Sequence, residues 1–419
     1  MTTATGQDVP PLRTAGSEPA AADRGPAAGR GCHGTPPAVL LAVVTLCTTI
    51  TVANVYLAQP LLGLIARSFG APASAAGWVA SVAQLGYAAG LLLFAPLGDT
   101  VPRRRLVGGL SVVAAAALVG AGTSTGLPVL AAAVFAVCAA TVIPQLLVPL
   151  IAERAPAADR ARQVGIVVSG LFTGVVAARV LGGLAGQAYG WRSVYFGAAV
   201  LTLIVGLTTA ALLPPEARAP RRSSPLRAIA SLPRLLAGSA ELRTACLRQA
   251  GLYGGWSAVW TTLALLLTGP RYGLSTAAAG MFGLFGLASS VVAPLAGRWT
   301  GRLGAARVVA LSYGAVALSL LLFWWGGQRI AALCAGAVLV HAGLVAGQVA
   351  NQTRALAATD TPSTANTAYV VAAFAAGATA SALAGAAFGR WGWPGVCAVA
   401  VLWVVMGALA PLAGGRRAR

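Results

Sequence analysis

Arg179 is the one charged residue in the middle of a long apolar run, at about 164–188. An arginine at the centre of a membrane helix costs about 2.5–3.5 kcal/mol on insertion scales, so it needs a cavity or a partner. A guanidinium in that position can bind a solute or influence the movement of a proton. We therefore expect Arg179 to serve solute binding or proton coupling; a structural bond to backbone carbonyl groups is the alternative.

His341 lies in another apolar run, at about 329–353, and is the one side chain in these runs that titrates near neutral pH. On a helix it shares a face with Gln348 and Gln352, at i+7 and i+11. We expect His341 to act in coupling together with Arg179. A plain hydrogen bond to a neighbouring helix is the alternative.

Polar and aromatic side chains form two further stripes at helical spacing. The first stripe consists of Thr45, Thr49, Tyr56 and Gln59, and the second of Gln249, Tyr253, Trp256 and Trp260. Facing lipid, Tyr56 and Gln59 would lack partners, so the first stripe should point inward. Aromatic belts at the membrane surface are the alternative for the tryptophans, but Trp256 and Trp260 lie too deep in their run for both to belong to a belt.

The stripes together predict a binding site in the middle of the membrane. Its expected lining is Thr49, Tyr56, Gln59, Gln84, Gln145, Arg179, Gln249, Tyr253, Trp256, Trp260, His341 and Gln348. Aromatic and amide groups with one cation suit a neutral or anionic, partly apolar ligand. Cationic ligands rank lower, because all nine acidic residues lie in tails, loops or helix ends: Asp8, Glu18, Asp23, Asp99, Glu153, Asp159, Glu216, Glu241 and Asp360.

Other kinds of site find no support in the sequence. It contains no Ser/His/Asp set, no metal-binding cluster and no phosphate-binding loop, so we expect neither an enzyme nor a metal or other cofactor. The six cysteines are scattered without a CxxC pair and are interpreted as packing residues.

The composition indicates which elements must hold these side chains. Of 419 residues, 58% are hydrophobic and 9% are charged, whereas a soluble domain carries about 25% charged residues. This excludes an ordinary cytoplasmic enzyme. The net charge of +20 would suggest nucleic acid in a soluble protein, but the arginines cluster between apolar runs, so we expect a lipid bilayer and no nucleic acid as partner.

Twelve apolar runs are long enough to cross a bilayer. They lie at about 39–65, 76–98, 106–124, 127–152, 164–188, 192–213, 247–269, 273–297, 307–326, 329–353, 365–388 and 393–413. Arginines concentrate in alternate connections, which by the positive-inside rule places both termini in the cytoplasm.

The chain divides into two halves of six runs each. Gly190-Trp191 and Arg105 of the first half are related by one common offset to Gly392-Trp393 and Arg307 of the second. The predicted organisation is a disordered cytoplasmic tail (1–37), a six-helix bundle (38–213), a basic cytoplasmic linker (214–246), a second six-helix bundle (247–413) and a short cytoplasmic tail (414–419). Part of the linker is expected to be an amphipathic helix on the membrane surface, with a flexible linker as the alternative.

The string APLGDTVPRRR at residues 95–105 follows the second run. It resembles the loop signature of the major facilitator superfamily, GxxxDRxGRR, with departures at Ala95, Thr100 and Pro102. The resemblance implies a cytoplasmic gate formed by Asp99, Arg103, Arg104 and Arg105. The alternative is that these arginines only fix the orientation of the spans in the membrane. The corresponding loop of the second half has Gly301 at the position of Asp99, so any gate is asymmetric.

The string GIVVSGLFTGVVAARVLGG at residues 165–183 resembles the antiporter signature of that superfamily, G-x8-G-x3-GP-x2-GG, found mainly among exporters. Its small residues are expected to let another helix approach closely: Gly165, Gly174, Ala178, Gly182 and Gly183. Ala178-Arg179 replaces Gly-Pro. Span eight offers a matching ridge at Gly280, Gly283 and Gly286.

The resemblance extends from residue 38 onward, and NVYLAQP at 54–60, PQLLVP at 144–149 and Asn351-Gln352 are similar to strings of twelve-span bacterial drug or sugar efflux proteins. It implies an all-α membrane protein of two pseudo-symmetric six-helix bundles in the bacterial plasma membrane. The implied function is export of a small organic solute by alternating access in antiport with protons, as a monomer, in the manner of multidrug resistance proteins. Uptake by symport or facilitated diffusion is the alternative, and a transport-inactive sensor or scaffold is a second.

Overall fold

The computed structural model describes residues 37–99, 101–156, 159–214, 225–359 and 361–414. The regular elements of these residues are helices. The α-helices are α1 (Pro37–Tyr56), α2 (Leu62–Ser68), α3 (Ala73–Phe94), α4 (Arg103–Gly122), α5 (Leu127–Ala140), α6 (Pro144–Arg154), α7 (Arg160–Tyr189), α8 (Trp191–Leu212), α9 (Pro225–Gly238), α10 (Ala240–Thr268), α11 (Thr276–Met281), α12 (Leu287–Leu303), α13 (Ala305–Gly326), α14 (Ile330–Ala357) and α15 (Pro362–Gly414). Three 3₁₀ helices complete them: η1 (Gln59–Leu61), η2 (Pro96–Asp99) and η3 (Phe282–Gly286). Nearly all of the predicted tails lies outside the described residues.

Among these residues, 11 stretches of helix are long and apolar enough to cross a membrane. The last, Thr364–Ala410, has 47 residues and would measure about 70 Å, more than twice the thickness of a bilayer core. Gly392 interrupts it with φ 64° and ψ −152°. The interruption separates the two spans predicted at 365–388 and 393–413, and the twelve-span all-α membrane fold is confirmed.

Gly190 has the same role between α7 and α8, with φ 81° and ψ 157°. The two glycines adopt a backbone region that is essentially closed to residues with a Cβ atom. Each is followed by a buried tryptophan, Trp191 or Trp393. The repeated break supports the duplication inferred from the sequence.

We expect Gly392→Ala to lower the thermal stability of the purified protein, by about 1–3 kcal/mol of conformational strain. A Cβ atom at Gly392 would meet no atom within 4 Å, so the backbone conformation alone is tested. Gly109→Ala, in the exposed interior of α4 and also without a neighbour within 4 Å, is the control and should keep or raise the melting temperature. Equal melting temperatures for both variants would contradict the strained turn.

Small residues of α7 pack against two different helices. Gly174 faces α1, where a Cβ atom would collide with the carbonyl oxygen of Thr49. Gly183 faces α11, where a Cβ atom would lie 2.9 Å from the carbonyl oxygen of Thr276. Gly182 lies near Pro60 of η1, and Ala178 is buried.

Gly165 departs from the packing prediction. It is exposed, and a Cβ atom there would meet nothing within 4 Å. It lies in the first turns of α7, where the structure brings no helix against it. The expected ridge of span eight does meet α7, but it contacts the face that carries Arg179 and Gly183 rather than the face of Gly174 and Gly182.

The first and second halves of the sequence have their most extensive contacts in two places. Helix α3 packs along α15, and α7 packs against α11 and η3. At these contacts the backbones come close: a Cβ atom at Gly77 would lie 3.7 Å from the Cα atom of Gly385, and one at Gly280 would lie 2.5 Å from the carbonyl oxygen of Arg179. The domain boundaries remain a prediction, although α9 shows that part of the predicted linker is helical.

Three spans are interrupted within the membrane-crossing length. The first changes from α1 to η1 at Leu57–Ala58, next to Pro60, which has no backbone N–H to donate. The fourth breaks at Thr141–Ile143 before Pro144, and the eighth contains η3. Interrupted helices are typical of sites in transporters, because they expose polar backbone groups to a cavity.

Candidate functional site

Arg179 is buried, with 3% of its surface exposed, and lies among aromatic rings. Its guanidinium carbon is 5.2 Å from the ring centroid of Tyr56, 5.4 Å from that of Trp256 and 4.8 Å from that of Trp260. Each such cation–π contact contributes about 0.5–2 kcal/mol. The three rings come from both halves of the chain, because Tyr56 ends α1 and the tryptophans lie on α10.

The hydrogen bonds of this guanidinium are incomplete within the described part of the chain. Its Nε atom donates to Oε1 of Gln59 over 3.2 Å. The Nη1 and Nη2 atoms are buried and have no hydrogen-bond partner among the described residues. Two charged donors are therefore available on the edge that forms bidentate bonds to planar acids.

His341 contacts the same two tryptophans. Its Nδ1 atom is 2.8 Å from the carbonyl oxygen of Ala337, and its Nε2 atom accepts a bond of 3.3 Å from the indole nitrogen of Trp256. Its ring stands edge-on to Trp260, with 4.4 Å between centroids. These partners fit a neutral imidazole with its proton on Nδ1.

Tyr253 extends the aromatic group towards α3 and α15. Its hydroxyl oxygen is 3.3 Å from that of Tyr56, and its ring contacts Trp256 and Phe374, with centroids 5.2 Å and 5.1 Å away. Phe374 in turn contacts Tyr87, at 4.4 Å. The sequence analysis missed Phe374 and Tyr87; Tyr87 lies one helical turn from Gln84 and could have been found on that basis.

Gln84 and Gln145 lie at the edge of this aromatic group. The amide nitrogen of Gln145 is 3.4 Å from the hydroxyl of Tyr87. Gln84 donates to the hydroxyls of Ser257 (2.8 Å) and Ser381 (3.0 Å), and so links α3 to α10 and α15. Ser257, Ser381 and Thr261 form a buried hydroxyl cluster that the sequence analysis missed, since small hydroxyl residues in apolar runs carry little signal.

Three predicted lining residues lie elsewhere. Gln249 accepts a bond of 2.8 Å from Tyr369, whose hydroxyl also lies 3.1 Å from the backbone oxygen of Gln348. This places Gln249 and Gln348 in a separate contact of α10, α14 and α15. Thr49 is bonded to the carbonyl oxygens of Thr45 and Gly170, so its hydroxyl serves the packing of α1 on α7.

The predicted gate is described only in part. Arg103 forms a two-pronged ion pair with Glu153, at 2.9 Å and 3.0 Å. Both residues belong to the first half, so this pair joins α4 to α6 and does not connect the halves. Arg104 and Arg105 are exposed, and the side chain of Asp99 lies outside the described residues.

The site has little free volume in this conformer. A cavity of about 20 Å³ adjoins the guanidinium and is lined by α10, η1, α11 and η3; this is room for about one water. Elsewhere in the described chain, no three His, Cys, Asp or Glu side chains lie close enough to hold a metal ion. The arrangement thus places one buried cation among aromatic rings, with little free space beside it in this conformer.

Comparison with known proteins agrees with this architecture. Residues 44–249 match the Major Facilitator Superfamily. The "Probable transporter SCO4007" of Streptomyces coelicolor is 62% identical over 381 residues, which cover 90% of this chain and 88% of that protein. The "Chloramphenicol resistance protein" of Streptomyces lividans is 34% identical over 169 residues, which cover 40% of this chain and 42% of that protein.

The fold is also similar to solved transporter structures. The crystal structure of peptide transporter POT in complex with sulfate has a TM-score of 0.71 and 16% identity, over 92% of this chain and 96% of that one. Together with the family match and the Streptomyces coelicolor relative, this confirms the resemblance to the major facilitator superfamily and the expectation of a transporter rather than an enzyme. The chain belongs to the major facilitator superfamily and is a multi-pass membrane transporter of small solutes.

Proposed function

We propose that this transporter exports a small organic solute, neutral or anionic and partly apolar, in antiport with protons. The observation that carries the proposal is the guanidinium of Arg179, which is buried among Tyr56, Trp256 and Trp260. Two of its donors have no hydrogen-bond partner among the described residues. Aromatic faces suit the apolar body of a solute, and the free donors suit its polar or charged head.

Alternating access is supported by the positions of the contacts between the halves. With the N-terminus in the cytoplasm, the contact of Gly183 with Gly280 and the bond from the backbone of Ala277 to Gln187 lie on the outer side of Arg179. This conformer is then closed towards the exterior. Separation of α7 from α11 would open the aromatic site to the exterior.

Export is favoured over uptake by two features. The string at 165–183 resembles the antiporter signature of exporters, and part of the chain is similar to a chloramphenicol resistance protein. An inactive sensor or scaffold is less well supported, because the site has unpartnered donors in its centre. We place the protein in the bacterial plasma membrane, with both termini in the cytoplasm, as a monomer.

Proton coupling is assigned to Arg179 and His341. The imidazole touches both tryptophans that contact the guanidinium. A change in the imidazole or in the guanidinium therefore alters rings that both groups contact. His341 is a positioning residue for those rings in this proposal. His341→Gln should weaken proton coupling more than solute binding.

Inverted membrane vesicles test the proposal. When the vesicle interior is acidified, an exporter in this orientation accumulates its solute, and the accumulation collapses on addition of a protonophore. A panel of drug-like compounds, aromatic acids and sugars supplies the solutes. Accumulation in right-side-out vesicles with an acid exterior, and none in inverted ones, would instead establish uptake.

A further inference from the structure

We infer that the solute is an organic monoanion that supplies the missing counter-charge of Arg179, and that the membrane potential drives it outward. The inference rests on the export function proposed above. It specifies the chemical class of the solute and the part of the proton gradient that acts on it.

The charge of Arg179 is not balanced by any neighbour in the described chain. The groups in contact with its guanidinium are Gln59, Tyr56 and two tryptophans, all neutral. Glu241, at the start of α10, precedes Trp260 by a helical rise of about 28 Å. A charge without a partner in a low-dielectric site is costly, and an anionic solute would remove that cost.

The donors define the head group of the solute. Because Nε is bonded to Gln59, the available edge of the guanidinium carries Nη1 and Nη2. This fork matches the two oxygens of a carboxylate, a sulfonate or a phosphate diester. One arginine neutralises one negative charge, so a dianion would leave an unpaired charge in the same site.

The walls define the body of the solute. Trp256 and Trp260 are nearly parallel, with an interplanar angle of 8° and 6.1 Å between centroids. Tyr56 and Tyr253 approach Trp256 from the sides. When α1 moves away from α10, the tryptophans present flat apolar faces near the donors, which favours an aromatic anion over a small hydrophilic one.

A monoanionic solute also accounts for the lack of a buried carboxylate. No acidic residue lies in the middle of a predicted span, so no carboxylate is available there to carry a proton. An inside-negative potential already drives a single negative charge outward, and a potential of about 100 mV sustains a concentration ratio of about fifty-fold. Export of the anion then draws on the electrical part of the proton gradient, in addition to the proton that it exchanges.

Binding is tested first, because it does not depend on the direction of transport. The purified full-length protein is heated with benzenesulfonate, with benzenesulfonamide, its neutral analogue of similar shape, or with the cation benzamidinium. Ligand binding to the folded state raises the melting temperature. We expect benzenesulfonate to raise it most. An equal or greater effect of either analogue, or no effect of all three, would overturn the assignment of a monoanion.

Two arginine variants locate the effect. Arg179→Gln should abolish the preference for the sulfonate. Arg192→Gln is the matched control: its guanidinium also lies over a tryptophan, Trp191, at 4.3 Å, but it is bonded to Ser68 and Ser124 outside the site. A preference that survives in Arg179→Gln, or that is lost in Arg192→Gln, contradicts the site. The ligand series on the wild type decides the matter if Arg179→Gln fails to fold.

Transport driven by a membrane potential without a pH gradient tests the electrical part of the inference. Proteoliposomes with valinomycin and about a fifty-fold potassium gradient, at equal pH on both sides, should accumulate benzenesulfonate on the positive side, with a limit of about fifty-fold for each elementary charge moved per turnover. Reversal of the gradient should reverse the movement. If a pH gradient alone moves the solute and a potential alone does not, the electrical inference fails while export by proton antiport stands. If binding prefers the anion but inverted vesicles do not accumulate it, the proposed direction fails and the assigned class stands.

Discussion

Arg179→Ala is expected to abolish transport while leaving a folded protein in the membrane. The variant removes both free donors and the cation of three cation–π contacts. Truncating one partner of a buried charged hydrogen bond costs about 2–5 kcal/mol, or roughly 30- to 4,000-fold in binding. Membrane insertion should not suffer, because the change also removes the insertion cost of about 2.5–3.5 kcal/mol.

The measurement is export from cells that overexpress the wild type or the variant, over the same panel of solutes, with gel filtration of the purified protein as the test of folding. Arg179→Lys keeps the charge but loses the planar fork, so it should retain only a small part of the activity. Arg192→Ala should transport normally. Normal export by Arg179→Ala would remove this residue from the mechanism.

The sequence was sufficient to predict which polar and aromatic side chains cluster around Arg179. Tyr56, Arg179, Trp256, Trp260 and His341 come from four spans, and the structure brings them together. Helical periodicity defines which face a residue occupies, and a charged or polar side chain in an apolar run must face inward. These two arguments need no knowledge of neighbouring helices, which is why they succeed for these residues.

Periodicity does not define which neighbour a face will meet. Gln249 and Trp256 share one stripe on α10, yet Gln249 bonds to Tyr369 while Trp256 bonds to His341. Depth along the helix separates them, because residues seven apart differ by about 10 Å in height. Phe374 was missed for a different reason. An aromatic residue in an apolar run is expected equally in lipid, in the protein core or in a cavity.

The course of the spans was also predictable, whereas their interruptions were not. Apolar length alone marks a membrane crossing. The changes of helix type at Leu57–Ala58 and at η3 depend on local backbone hydrogen bonding next to Pro60 and the glycines of span eight. Both interruptions adjoin the guanidinium, so the features that the pattern missed contribute to the geometry of the site.

Gly280→Leu is expected to prevent the halves from closing on the outer side of Arg179. A Cβ atom at Gly280 would already lie 2.5 Å from the carbonyl oxygen of Arg179 and 3.2 Å from the Cα atom of Gly183. Overpacking such a contact costs about 1–3 kcal/mol, which shifts a two-state equilibrium by roughly 5- to 150-fold. The helix pairs within each half are unchanged, so the protein should fold but favour the conformer that is open to the exterior.

The reactivity of a cysteine reports this shift. Ala264→Cys, which borders the cavity beside Arg179, should react with an impermeant maleimide from outside much faster when combined with Gly280→Leu, in a background without the natural cysteines. Gly314→Leu is the control, because Gly314 is exposed and has no neighbour within 4 Å of a Cβ atom. Gly280→Ala should give an intermediate rate. Unchanged reactivity together with normal transport in Gly280→Leu would mean that α7 and α11 do not close the outer side, and the alternating movement would then have to take place along α3 and α15.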